Sequence, residues 1–194
     1  MLYYSAYISL IVQLLTGAVG SLGLFIKLKP EDKVLSDVLL METFVQFVEF
    51  IFYAWLVSNL NNVPDNITIL RYIDWNITTP IMLISTILYM KYNTLKEKNK
   101  RKTTEEILNE DKDIILRITL YNFLMLMFGL LGELNYLSRY ISFTAGFIFF
   151  YLSFKEIYVN YFNNNELNIN LFNFLFIVWS LYGVAALFNF ELKN

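Results

Sequence analysis

Six stretches of the chain are long and apolar enough to need lipid rather than water as their solvent. They cover about residues 1–26, 38–60, 67–91, 114–132, 140–160 and 168–190, and each supplies the roughly 20 residues that a helix needs to cross hydrocarbon. With no water to satisfy N–H and C=O groups there, runs of this length predict helices. The expected fold is all-α: a polytopic membrane helix bundle of six spans, forming a single transmembrane domain over 1–194. Composition agrees, since 57% of residues are hydrophobic against roughly 45–50% in ordinary soluble domains. Residues 1–26 carry no charge. A cleavable signal would begin with basic residues and have a shorter apolar run, so this segment is expected to span.

The connections carry the charge and the turn residues: Lys29-Pro30-Glu31-Asp32, Asn61-Asn62-Val63-Pro64-Asp65-Asn66 and Asn163-Asn164-Asn165. Lys27, Lys29 and Lys33 follow the first span. Lys91, Lys96, Lys98, Lys100, Arg101, Lys102 and Lys112 follow the third, while the opposite side offers little beyond Arg139 and Lys193. Basic loops stay cytoplasmic, which places the amino terminus outside and, with an even number of spans, the carboxyl terminus outside too. The dense charge run over 93–113 is expected to be a solvated cytoplasmic loop with helical ends, Thr103 and Glu106 having capping-box spacing. Asn-x-Thr triplets occur at 66–68 and 76–78; the second lies in mid-span, so the first carries little weight as a glycosylation site.

Several chemistries are excluded at once. There is no cysteine and no histidine, which removes disulfides, thiolate nucleophiles, histidine bases and the usual zinc ligands. No metal site and no catalytic constellation is expected, and the protein is not expected to be an enzyme. The net charge of −2, with its basic residues clustered, gives no phosphate-binding face for nucleic acid. Proton chemistry would have to run on carboxylates, hydroxyls, a cofactor or water.

The third span breaks the apolar pattern. Arg71 and Asp74 are ionisable residues within it, each costing about 2.5–3.5 kcal/mol at a helix centre on insertion scales, so they mark a functional site by default. At 3.6 residues per turn, Asp74, Thr78 and Ser85 share one face, with Trp75 and Thr79 on an adjacent one. Arg71 lies one turn outward from Asp74. Taken alone, it could be the structural partner of that carboxylate.

The run Arg71-Tyr72-Ile73-Asp74-Trp75-Asn76-Ile77-Thr78-Thr79-Pro80 closely resembles the third helix of the microbial (type 1) rhodopsins. That resemblance implies a retinal cofactor. Asp74 would be the counterion and proton acceptor of its protonated Schiff base, with Arg71 tuning that charge. Trp75 would lie against the polyene, and Thr78 and Thr79 would line the pocket. Trp179-Ser180-Leu181-Tyr182-Gly183 is similar to the family's sixth helix, with Gly183 in place of the usual proline. Asn122, Met125, Gly129 and Gly132 are similar to its fourth. There an Asp or Asn bonds the residue matching Thr79, Met touches the chromophore, and glycines make room for its ring.

The family has seven helices, with the retinal-bearing lysine on the seventh. Lys193 at the outer edge and Lys155 at the inner end of span five cannot face Asp74, so the Schiff-base lysine is not expected within this chain. Two explanations are open: a fragment whose lysine helix follows, which the intact counterion motif favours, or a six-helix relative that binds no retinal.

Position 85, where pumps of the family have a carboxylic proton donor, is Ser85, which argues against an efficient outward pump. On span two, Glu42, Gln46, Glu49 and Tyr53 form one polar stripe among Phe, Val, Leu and Ile. Span one presents Ser5, Ser9, Gln13, Thr16, Gly20 and Gly23. Facing each other, the stripes would enclose a hydrated, acidic seam suited to cations. The pattern resembles the channelrhodopsins, and among them the channel-type rhodopsins of giant algal viruses. A light-gated cation channel is therefore expected, moving small cations or protons in a bilayer as a homo-oligomer. A proton pump, a sensory rhodopsin and a helix bundle without retinal are the alternatives. The stripe could also serve only helix packing or an oligomer contact.

Overall fold

The computed structural model describes residues 2–62 and 67–191. Seven α-helices fill them: α1 (Leu2–Gly23), α2 (Lys33–Ser58), α3 (Ile67–Glu97), α4 (Thr104–Glu110), α5 (Lys112–Glu133), α6 (Arg139–Tyr161) and α7 (Glu166–Glu191), with short 3-10 turns at Pro30–Asp32 and Leu60–Asn62. The turn residues 63–66, the glycosylation triplet's Asn66 and Lys193 lie outside the described residues.

The expected count of six helices is corrected to seven. The additional helix is α4, formed inside the segment expected as a solvated loop. Its capping box closes at both ends: the Glu106 amide donates to Thr103 Oγ1 at 3.2 Å, and the Thr103 amide donates to Glu106 Oε2 at 2.7 Å. Ile107, fully buried, then pins the helix into an apolar cluster with Val34, Leu88, Tyr92 and Leu95. Seven residues rise only about 10 Å, far short of a hydrocarbon core of about 30 Å. α4 therefore lies along the end of the bundle.

α1, α5 and α7 are long and apolar enough to cross a membrane on length and composition alone, over Tyr4–Gly23, Lys112–Glu133 and Glu166–Ala186. The burial pattern carries the same message. Leu15 and Val19 of α1, Phe44 and Phe47 of α2, Ile148 of α6 and Phe174 of α7 point outward, while Asp74, Thr78, Asn122, Ser153 and Asn168 are buried. A chain with apolar groups outside and polar groups inside is built for lipid.

α2 and α3 form the centre, α1 packs on α2, α5 pairs closely with α6, and α7 leans on α3 and α6. Small residues set two of these approaches. A Cβ on Gly20 would fall 2.8 Å from Thr43 Oγ1, and one on Gly132 would fall 2.6 Å from Ser142 Cβ. Pro80 sits inside α3 without ending it. Near the last turns of α3, Asn168 is fully buried and joins α7 to α3. Its side chain donates to the Met90 carbonyl at 2.9 Å and accepts from Asn93 at 3.0 Å.

Candidate functional site

α3 turns its polar face into the bundle. Asp74 keeps 7% of its accessibility and Thr78 keeps 1%. The Thr78 hydroxyl donates back to the Asp74 carbonyl at 3.0 Å, so it does not reach the carboxylate. Asp74 Oδ1 has no hydrogen-bond partner among the described residues. A buried carboxylate oxygen left unpaired is costly, and a cationic group seated beside it would satisfy it.

Aromatic rings flank that oxygen's helix. Trp75 meets Tyr72 edge-on at 5.1 Å and Tyr182 of α7 edge-on at 6.0 Å. Tyr182 also lies within electrostatic range of Asp74, Glu49 and Tyr53, which brings α2, α3 and α7 to one space. Trp179 packs edge-on to Phe154 at 5.6 Å, against the core between α3, α5, α6 and α7. On α5, Asn122 is 1% exposed and donates to Thr79 Oγ1 at 2.8 Å. Met125 is half-buried one turn on.

Arg71 does not pair with Asp74. Its guanidinium bonds Glu133 at the end of α5, and Tyr72 OH donates to the other oxygen of Glu133 at 3.1 Å. The same guanidinium lies 5.1 Å from the Trp75 ring centroid, a cation–π arrangement. No described lysine pairs with Asp74: Lys91 bonds Asp111, Lys96 bonds Asp32, Lys102 bonds Glu110, and Lys155 is exposed on α6.

The α1 and α2 stripes face each other along their length. Ser9 and Tyr53 are hydrogen-bonded, Gln13 donates to Glu49, and Thr16 donates to Gln46 Oε1 at 2.6 Å. Glu42 turns instead to α3 and accepts from Ser85. Glu49 is within electrostatic range of both Glu42 and Asp74, so the polar line continues from the seam to the α3 face.

Residues 5–193 match the family model of bacteriorhodopsin-like proteins. The chain belongs to that family. Its fold is similar to the crystal structure of viral rhodopsin OLPVRII, with a TM-score of 0.81 at 26% sequence identity, covering 95% of this chain and 82% of that one. No curated protein matches the chain. It is thus an integral multi-pass membrane protein of the microbial rhodopsin family.

In this rhodopsin a Cβ on Gly129 of α5 would meet Tyr72 OH at 2.7 Å, and one on Gly183 of α7 would meet the Phe147 ring at 2.7 Å, so each lets a neighbouring protein ring approach its helix. Sequence reasoning missed Glu133, and it quoted Tyr72 without giving it a role. Glu133 stands at a helix end beside a turn, where a carboxylate usually faces water. Nothing local reveals a partner 62 positions earlier in the chain.

Proposed function

We propose that this rhodopsin is a retinal-based photoreceptor that conducts cations when lit, with Asp74 as the counterion. The observation that carries the reading is the buried Asp74 Oδ1, which has no partner among the described residues and would be satisfied by a cation. Retinal held as a protonated Schiff base supplies that cation together with the absorption of light; the lysine that would hold it is not among the described residues. Trp75 and Tyr182 bound the space beside Asp74 with apolar ring surface. Asn122 fixes Thr79, and Arg71 adds positive charge one turn outward. The amino terminus is outside and α4 is cytoplasmic, following the basic residues.

The path proposed for ions is the seam lined by Ser9, Gln13, Gln46, Glu49 and Tyr53, ending at Glu42. Its side chains pair across α1 and α2 through Gln13–Glu49 and Thr16–Gln46, with Gln13 Oε1 buried and unpartnered among the described residues, and conduction requires those pairs to separate and admit water. Two carboxylates along it favour cations and repel anions.

One observation favours a second reading, proton pumping. Ser85 occupies the position where pumps of the family have a carboxylic donor, and the group bonded to its hydroxyl is the carboxylate of Glu42. An acid would then stand near the usual place, supplied by α2 in place of α3.

Voltage clamp of cells expressing the gene with added retinal separates the two. Currents that reverse with membrane potential, and that change in Glu49→Gln, support conduction. Photocurrents of one sign at all potentials, abolished in Glu42→Gln, support pumping. An Asp74→Asn protein whose absorption is unaltered rejects the counterion and both readings with it.

A further inference from the structure

We infer that Glu133 is the positioning residue of this site: with Tyr72 it holds the Arg71 guanidinium at the outer end of the bundle, off the Asp74 carboxylate. The inference deepens the proposed function and rests on it for what the arrangement accomplishes, though the placement of Arg71 can be tested without a chromophore.

Three observations converge. Both carboxylate oxygens of Glu133 are engaged, one by Arg71 and one by Tyr72 OH, so its orientation is fixed from two successive residues of α3. Arg71 Nε is buried with no partner, and so is Asp74 Oδ1. The cation and the anion sit three residues apart on one helix, within reach by a side-chain turn, yet each keeps an unused group. An arginine that could pair with the nearer carboxylate but pairs with one from another helix is being held there. The Trp75 face at 5.1 Å supports the guanidinium plane in the same place.

The consequence concerns the counterion. Among the described residues, the ionisable groups around Asp74 are Glu49 and Tyr53 from α2, Arg71 from its own helix and Tyr182 from α7. Arg71 is the only cation among them. Held outward, it leaves the negative charge of Asp74 uncompensated by the protein and available to a cationic ligand. Released, it would turn toward Asp74 and weaken that charge as a counterion. Glu133 acts through Arg71 and Tyr72, the two residues it bonds.

The test has two arms. The chain has four arginines, so the guanidinium signals of the 15N-arginine protein in lipid nanodiscs are few, and Arg71→Gln assigns one set. In the wild type the Arg71 Nη–H signals should be resolved and slow to exchange. In Glu133→Gln they should be lost or move to a free-arginine position, and in Tyr72→Phe, a milder change that keeps the ion pair, they should move part of the way. In the retinal-loaded protein, Glu133→Gln should shift absorption to the red, and the same change should add nothing in an Arg71→Gln background. Unchanged Arg71 signals in Glu133→Gln overturn the inference, as does a colour shift of equal size without Arg71. If no protein, wild type included, takes on colour, the retinal reading falls while the arginine spectra still decide the role of Glu133.

Discussion

Replacing Asp111 with asparagine probes how firmly the joint between α4 and α5 is tied to α3. Lys91 Nζ of α3 donates to both carboxylate oxygens of Asp111, at 2.8 and 3.0 Å, and Asp111 is the joint at which α4 stops and α5 starts. Lys91 also lies 6.0 Å from the ring centroid of Tyr161, the last residue of α6. The pair keeps 25% of the lysine side chain's accessibility and 10% of the aspartate's, which sets it between a surface bridge and a buried one. At this separation Coulomb's law gives about 6 kcal/mol for an effective dielectric of ~20 and about 1.5 kcal/mol in bulk water, before desolvation offsets part of it. Removing one partner of a fully buried pair costs about 3–5 kcal/mol, and of an exposed one about 0–1 kcal/mol. Asp111→Asn keeps the shape and strips the charge, leaving a largely buried ammonium beside a neutral amide. The expected loss is about 2–3 kcal/mol, roughly 30- to 150-fold in the unfolding equilibrium. Lys91→Met/Asp111→Leu should regain at least half of it, because an apolar pair leaves no stranded charge. Reversible unfolding in mixed micelles, followed by circular dichroism, measures both. A loss below about 0.5 kcal/mol, or an Asp111→Asn loss of the same size once Lys91 is methionine, refutes the reasoning.

Asn168→Ala should destabilise the protein by about 1–3 kcal/mol in the same assay, because the Met90 carbonyl and the Asn93 amide lose their buried partner; an unaffected midpoint would mean that α7 is held by its aromatic contacts alone. Gly132→Ala should cost about 1–3 kcal/mol by driving a methyl into Ser142, and Ser142→Gly in that background should restore thermal stability; failure to restore it would place the strain elsewhere. The carboxyls of Asp32, held low by the Tyr92 hydroxyl and then by Lys96, and of Glu110, held low by Lys102, should titrate below the ordinary values of about 3.9 and 4.3. Because the folded state depresses them, the stabilisation is complete above those ordinary values and is lost as pH falls through the lower folded-state ones. Side-chain 13C NMR reads the midpoints directly, and values at or above the ordinary ones would show that the Asp32–Tyr92 and Glu110–Lys102 contacts do not hold the charged carboxylates.

What the sequence determined by itself was whatever local chemistry dictates. Long apolar runs dictated helices in lipid because no other backbone pairing survives there. An Asp and an Arg within an apolar span marked α3 as the candidate functional helix because placing charge there is costly. Spacing alone put Glu42, Gln46, Glu49 and Tyr53 on one face, and Thr103 with Glu106 in a capping box. Tertiary structure decided the partners. α4 became a seventh helix because Ile107 found a buried seat among Val34, Leu88, Tyr92 and Leu95, residues of α2 and α3 that its own neighbours in sequence do not reveal. Arg71 turned to Glu133 and away from the nearer Asp74, and Gly129 yielded its space to Tyr72. Periodicity fixes which side of a helix a residue occupies, since that follows from 3.6 residues per turn. Which residue waits opposite, on a segment tens of positions away, depends on how the helices pack, and that is settled only when the bundle closes.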